Sequence, residues 1–177
     1  MLNTHRNKLF FFSLIAFFFC SKVFGENKVV YIDLNFLMQN SLAGKSLNSQ
    51  LKNIQEKDFE LFQQKEKKLK SDESKILKQQ NVLSKTEFDK LIKVLSNDVN
   101  TYKKEKRVSL KNLQKKTNKS RLLFISTLEP ILAEYSKKEN ISLIMQKKNI
   151  LLGKSNLDIT KDVLEIMNQK KKKINLN

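Results

Sequence analysis

A band of basic side chains is the most distinctive chemical feature of this sequence. Between Lys103 and Arg121 nine Lys or Arg residues accompany one acid, Glu105, so these nineteen residues carry a net charge of +8. The band consists of Lys103, Lys104, Lys106, Arg107, Lys111, Lys115, Lys116, Lys119 and Arg121. Cations at this density attract acidic polypeptides, lipopolysaccharide phosphates and anionic lipid headgroups. The alternative is a solvated helix face in a lysine-rich chain.

Three phenylalanines are the second group of candidate binding residues: Phe59, Phe62 and Phe88. They lie at or beside an apolar stripe with helical spacing, so one or more of them is predicted to face a bound partner. Other residues of the stripe are predicted to pack helix against helix instead. These are Leu47, Leu51, Ile54, Ile92, Leu95, Val99 and Tyr102.

Residues 1–25 have the layout of a secretory signal peptide. Arg6 and Lys8 precede an apolar run of eleven residues, Leu9–Phe19, and a cleavage site is predicted after Gly25. The alternative is an uncleaved membrane anchor, but a spanning helix needs about 20 apolar residues. The sequence therefore predicts export.

Removal of these residues would leave little for catalysis. The only His and the only Cys, His5 and Cys20, both precede Gly25, and no Trp is present. An imidazole base, a thiol nucleophile and the common nitrogen or sulfur metal sites would then be absent. We therefore expect no enzyme activity, no cofactor and no metal.

The net charge of the chain stays strongly positive without residues 1–25. It would fall from +17 to +14 with the loss of three basic residues. Because an exported protein is not expected to meet nucleic acid, we do not expect this charge to bind it.

The elements that must position these candidates form one long stretch, Leu42–Lys138. Apolar residues recur there at alternating steps of three and four, which is typical of a coiled-coil seam. The pattern is interrupted at residues 81–83, and Ser84 followed by Glu87 has the spacing of a capping box. The sequence predicts two antiparallel helices, each roughly 60–80 Å long at about 1.5 Å per residue.

A small body is predicted from the residues that flank this arm. Lys28–Asp33, Ile141–Met145 and Ile150–Leu152 have the composition of strands, the last two joined by a turn at 146–149. A short helix over Leu34–Asn40 and an amphipathic helix capped by Asp158 or Thr160 complete the body. The predicted organisation is a signal peptide (1–25), an α+β body (26–41 and 139–169), a helical hairpin arm (42–138) and a frayed basic tail (170–177). So thin a sheet favours an oligomer that completes it.

Two segments of the body resemble a known family. Val29–Asp33 followed by Ser41–Lys45 resembles the opening of the Skp (OmpH-like) periplasmic chaperones. Ile141–Met145, Leu151 and Asp158–Leu164 resemble their closing strands and last helix. The arm is similar in length and pattern, so the resemblance covers about residues 28–168.

This resemblance implies the periplasm as the compartment, and a homotrimer with a shared β-body and three helical hairpins around a cavity. It also implies that the protein holds unfolded outer-membrane β-barrel proteins there without using ATP. Two alternatives remain open from periodicity alone: a secreted coiled-coil adaptor between envelope components, and a basic protein that coats anionic membrane or lipopolysaccharide surfaces.

Overall fold

A computed structural model describes residues 27–176, which form a long helical hairpin on a small α+β body. In chain order its elements are β1 (Lys28–Ile32), α1 (Leu34–Asn40), α2 (Leu42–Lys78), α3 (Lys85–Lys138), β2 (Ile141–Gln146) and α4 (Thr160–Lys170). Two 3₁₀ turns, Lys147–Asn149 and Ser155–Leu157, lie between β2 and α4. The predicted signal peptide lies outside the described residues. None of the helices within 27–176 is both long enough and apolar enough to span a membrane.

The two arm helices begin and end where local signals direct. The predicted capping box is present: the Ser84 hydroxyl accepts from the Glu87 amide at 3.3 Å, and the Glu87 carboxylate accepts from the Ser84 amide at 3.1 Å. Asn140 ends the return helix with φ at 51°, the left-handed conformation that Asn tolerates. Pro130 lies inside α3 without ending it. The 37 residues of α2 and 54 of α3 correspond to about 55 and 80 Å.

Within residues 27–176 the sheet has two strands, and the predicted third strand is wrong. β1 and β2 pair in parallel, with Val30 opposite Ile144 and Tyr31 opposite Met145. This pairing requires a long connection between the strands, which the arm provides. Ile150–Leu152 pairs with neither strand. The 3₁₀ turn after β2 redirects the chain, and the Ile159 amide instead donates to the Tyr31 carbonyl at 3.0 Å, so the segment around Asp158 occupies the other edge of β1.

The core lies where the arm meets the body. Its most deeply buried members, at most 1% exposed, come from five elements: Val30, Leu37, Ala43, Leu47, Phe124, Leu128, Val163 and Met167. Close approach of α1 and α2 requires Gly44, because a Cβ there would lie 2.0 Å from the Met38 carbonyl oxygen. The arm is therefore rooted in the same apolar cluster that holds the sheet and the last helix together.

The start of α4 differs from the predicted cap. The N-cap residue is Ile159, which offers no side-chain acceptor, and Asp158 accepts from the Thr160 amide at 3.0 Å instead. The Thr160 hydroxyl accepts a hydrogen bond from the Asp33 amide at 2.9 Å and so ties α4 to the end of β1. The predicted apolar side is confirmed: Val163 and Met167 are buried, and Leu164 and Ile166 pack against the core.

Residues 171–176 are not frayed. Ile174 and Leu176 are 7% and 4% exposed and belong to the apolar core at the base of α2. The prediction failed because it weighed the run Lys170–Lys173 and overlooked the two apolar residues that follow it.

Candidate functional site

A groove between α2 and α3, halfway along the arm, is a concave site in the described part of the chain. Its volume is about 1020 Å³. Its apolar lining comes from both helices: Phe59 and Phe62 from α2, and Leu110 and Leu113 from α3. Phe59 is 67% exposed and Leu110 61%, which is unusual for large apolar side chains beside a helix–helix contact. The groove thus presents apolar surface that nothing within residues 27–176 covers.

Polar residues in the seam create this exposure. At the level of the groove the facing positions are taken by Asp58 and Ser109, whose carboxylate and hydroxyl are hydrogen-bonded to each other. Each is followed directly by a large apolar residue, Phe59 or Leu110, and consecutive residues on a helix point about 100° apart. Because the polar pair occupies the seam, its apolar neighbours are turned outward. By its spacing in the sequence Leu110 belongs to the apolar stripe predicted to form the seam, and for this residue the prediction is wrong.

Above the groove, towards the tip, an aromatic pair holds the helices together. The rings of Phe62 and Tyr102 meet edge to face, with centroids 5.9 Å apart and planes at 71°. The Tyr102 hydroxyl donates to Glu66 at 3.4 Å and accepts from the Lys106 ammonium at 3.2 Å. The Lys106 ammonium also lies 5.4 Å from the centre of the Tyr102 ring, within cation–π range. Phe62 therefore contributes to both the seam and the groove wall.

Charged side chains of both signs surround the apolar lining. Lys52, Lys67, Lys70 and Lys106 line the groove together with Glu56, Glu60 and Glu66. Lys70 and Glu66 form an ion pair at 3.0 Å, and the hydrogen bond between them lowers the pKa of Glu66 and raises that of Lys70. Both groups therefore stay charged at neutral pH. The groove can offer apolar contact and either sign of charge to an extended polypeptide.

The structure brings together only three of the predicted site residues. Phe59, Phe62 and Lys106 line the groove, whereas Phe88 lies half-buried near the tip of the arm. Among the predicted seam residues, Leu47 is buried, Ile92 is 39% exposed, and the remaining five are half-buried. Leu113 and the acidic lining residues were not predicted as site residues. The signal that could have revealed the groove is the polar pair of Asp58 and Ser109 at seam spacing.

Most of the basic band faces away from the groove. The side of α3 that faces α2 is marked by Ser109, Leu113 and Ser120. On the opposite side of the helix, basic residues recur at steps of three and four. We call this second set the outer basic row: Lys104, Arg107, Lys111, Lys115 and Lys119, all on exposed positions. Lys103, Lys116 and Arg121 lie between the row and the seam. The outer basic row therefore forms a charged surface separate from the groove, whereas Lys106 of the band lines the groove.

Within residues 27–176 no group of His, Cys, Asp and Glu is arranged to hold a metal ion.

Comparison with known proteins agrees with this architecture. No curated protein matches the sequence. Among solved structures, the chain is similar in fold to a protein from Caulobacter crescentus CB15 named as a candidate outer membrane chaperone (OmpH-like). The TM-score is 0.77 at 14% identity, over 84% of this chain and 88% of that one. The model of the family described as outer membrane protein (OmpH-like) matches residues 28–167, and the chain therefore belongs to the OmpH-like family.

Proposed function

We propose that this protein is an ATP-independent periplasmic holdase that binds unfolded outer-membrane β-barrel proteins and prevents their aggregation. Family membership and the fold shared with the Caulobacter protein support a chaperone role. The observation that carries the proposal is the mid-arm groove, where Phe59 and Leu110 remain mostly exposed on an arm rooted only at its base. A monomeric coiled-coil spacer has no need for such a surface.

The groove suits a cargo that lacks a fixed shape. Its apolar lining binds side chains of different sizes, and its lysines contribute apolar stems as well as charge. Many weak contacts of this kind hold a chain without selecting one sequence. The net positive charge expected after loss of residues 1–25 also favours the capture of acidic unfolded chains. Release then needs no nucleotide, because each contact is weak and reversible.

Self-association is part of the proposal. A two-stranded sheet is marginal alone, and this one leaves Val29, Leu143 and Met145 between 37% and 52% exposed. Leu151 and Leu152 are 104% and 92% exposed, although Ile150–Leu152 has the composition of a strand. We propose that a partner subunit pairs with this segment in a homotrimer, whose three arms surround a cavity. The subunit number follows from the family resemblance.

The outer basic row supports a second contact. Five cationic side chains at three- and four-residue steps form a linear surface that suits the phosphates of lipopolysaccharide or anionic lipid headgroups. Because the row faces away from the groove, a bound membrane surface and a bound cargo would not compete for the same side chains.

The test of the holdase is light scattering as a β-barrel protein is diluted out of urea, with and without the protein. We expect suppression near one trimer per cargo chain. The variant Phe59→Ser/Leu110→Ser should lose most of this suppression, about tenfold in the concentration required, while its helical circular dichroism stays unchanged because both residues are exposed.

The matched control is Leu122→Ser, which changes a residue of α3 that is 67% exposed but lies outside the groove. Equal loss in the control and the groove variant would show that general surface hydrophobicity is responsible. No suppression by the folded wild-type protein at any ratio would sink the holdase and favour the coiled-coil adaptor. A salt series, with anionic vesicles in place of cargo, tests the outer basic row.

A further inference from the structure

The segment after α4 crosses to the arm in an extended conformation. Lys171 leaves the helix with φ at −144° and ψ at 103°. Beyond it the side chains alternate: Lys173 and Asn175 are exposed, whereas Ile174 and Leu176 are buried. The two buried side chains join the apolar cluster that contains Leu47. An alternating pattern of this kind is typical of a strand with one face covered, and here α2 and the core provide the cover.

One side chain of α2, Gln50, binds two backbone groups of this segment. Its Nε2 donates to the Ile174 carbonyl at 2.7 Å, and its Oε1 accepts from the Leu176 amide at 2.9 Å. The same Nε2 lies 3.0 Å from the Ser46 carbonyl, one turn back on α2, which holds the amide in place. The Ser46 hydroxyl adds a longer contact to the Ile174 carbonyl at 3.4 Å. The Gln50 side chain therefore makes the two backbone hydrogen bonds that a neighbouring strand would otherwise make with this segment.

The other arm helix, α3, is tied to α4 through residues near its own C-terminal end. The Lys170 ammonium pairs with Glu134 of α3, and the Tyr135 hydroxyl donates to Asp162 of α4 at 3.0 Å. Gln50 lies eight residues, or about 12 Å, above the first residue of α2. Below it, the connection between body and α2 includes the α1–α2 junction at Ser41 and a hydrogen bond from the Leu42 amide to Asn168 at 2.8 Å.

We propose that residues 171–176 form a strap that fixes the arm to the body and sets the direction in which the arm extends. With the strap seated, bending of the arm begins above Gln50. With the strap released, α2 can pivot about its first turn, so that the arm explores a wider range of angles. The strap lies beyond residue 167, where the family match ends, and its role does not depend on cargo binding.

The test is the distribution of distances between two spin labels, one at Lys67 on α2 and one at Glu165 on α4. Both positions are exposed, and residues 27–176 contain no Cys that would compete for labelling. Dilution with unlabelled chains restricts the signal to pairs within one chain. Removal of residues 171–177 should at least double the width of the distribution. Gln50→Leu keeps a side chain of similar volume but removes both hydrogen bonds to the backbone of the strap, so it should also broaden the distance distribution.

The control is Asn175→Ala, which changes an exposed residue of the strap and should leave the distribution unchanged. If the deletion lowers the helical circular dichroism, Gln50→Leu decides the test. A narrow distribution in Gln50→Leu would overturn the proposal. So would a lower melting temperature in either variant without broadening, because the segment would then stabilise the fold without directing the arm.

Discussion

The base of the arm and its middle are built from the same two helices but packed in opposite ways. At the base Leu47, Phe124 and Leu128 are at most 1% exposed, because the body covers the helices from outside. Halfway along, Phe59 and Leu110 are more than 60% exposed, and the seam contains the polar pair of Asp58 and Ser109. Burial at the base stabilises one shape, whereas apolar surface left open at the middle is available to a partner.

This difference indicates that the residues that stabilise the fold and the residues available for binding occupy different parts of the arm. A helix pair can keep an exposed apolar groove only if its folding does not depend on the residues that line it. Here the folding free energy is concentrated in the core shared with the body, so the middle of the arm can tolerate polar seam residues. Predictions about the two regions should therefore differ in size and in kind.

The largest expected effect comes from emptying the core at the base. Leu128→Ala and Phe124→Ala should each lower the free energy of unfolding by about 3–5 kcal/mol, since each removes a fully buried side chain and leaves a cavity. Leu122→Ala on the same helix, where the side chain is 67% exposed, should change it by less than about 0.5 kcal/mol. Urea unfolding followed by circular dichroism measures both. A loss of unfolding free energy in Leu122→Ala as large as that in the two core variants would contradict the proposed division between base and arm.

A smaller effect is expected from acid, and it should be largest in the body. Burial alone would raise the pKa of Asp158, but hydrogen bonds from Thr160 and Lys147 outweigh it and leave that pKa below its usual value of 3.8. A lowered folded pKa contributes stability that is present above the unfolded pKa and lost as the pH falls through the folded one. We expect about 1–2 kcal/mol to be lost as the pH drops from 5 to below 3.

Asp158→Asn should remove most of this pH dependence, as measured by melting temperature across the acid range. Glu66→Gln is the control from the middle of the arm. Glu66 also pairs with a lysine that lowers its pKa, but its carboxylate is solvated, so this change should reduce the acid dependence by much less than Asp158→Asn does. A flat profile for wild-type protein would contradict the role given to Asp158.

The smallest expected effect tests the polar seam itself. Asp58→Leu/Ser109→Ala replaces both members of the pair with apolar residues, so neither group loses a partner. The free energy of unfolding should then stay within about 1 kcal/mol of wild type, or rise. Cargo suppression should also stay unchanged, because apolar residues at positions 58 and 109 keep the same register and leave Phe59 and Leu110 outside the seam. A loss of suppression, with Phe59 and Leu110 still exposed in the variant's structure, would separate cargo binding from these two residues.

Local features were predictable wherever a few neighbouring residues decide them. The capping box of Ser84 and Glu87, the left-handed Asn140 and the amphipathic α4 each depend on residues within a turn or two of one another. The length of the arm followed from the near absence of helix breakers over Leu42–Lys138. Side chains and backbone within this range meet in any conformation of the chain, so their preferences can be read directly from the order of residues.

Choices between distant partners required the tertiary structure. Nothing near Ile150–Leu152 indicates that the edge of β1 is already occupied by the segment around Asp158, and nothing near Ile174 indicates the presence of Gln50 on α2. Whether Ser109 or Leu110 lies in the seam depends on how the two long helices align. Rotation of α3 by one residue about its axis would reverse which of the two side chains is buried. The sequence alone determined the helices, their ends and the family resemblance. Tertiary packing decided which apolar residues were left uncovered, because burial depends on what lies opposite a residue rather than beside it in the chain.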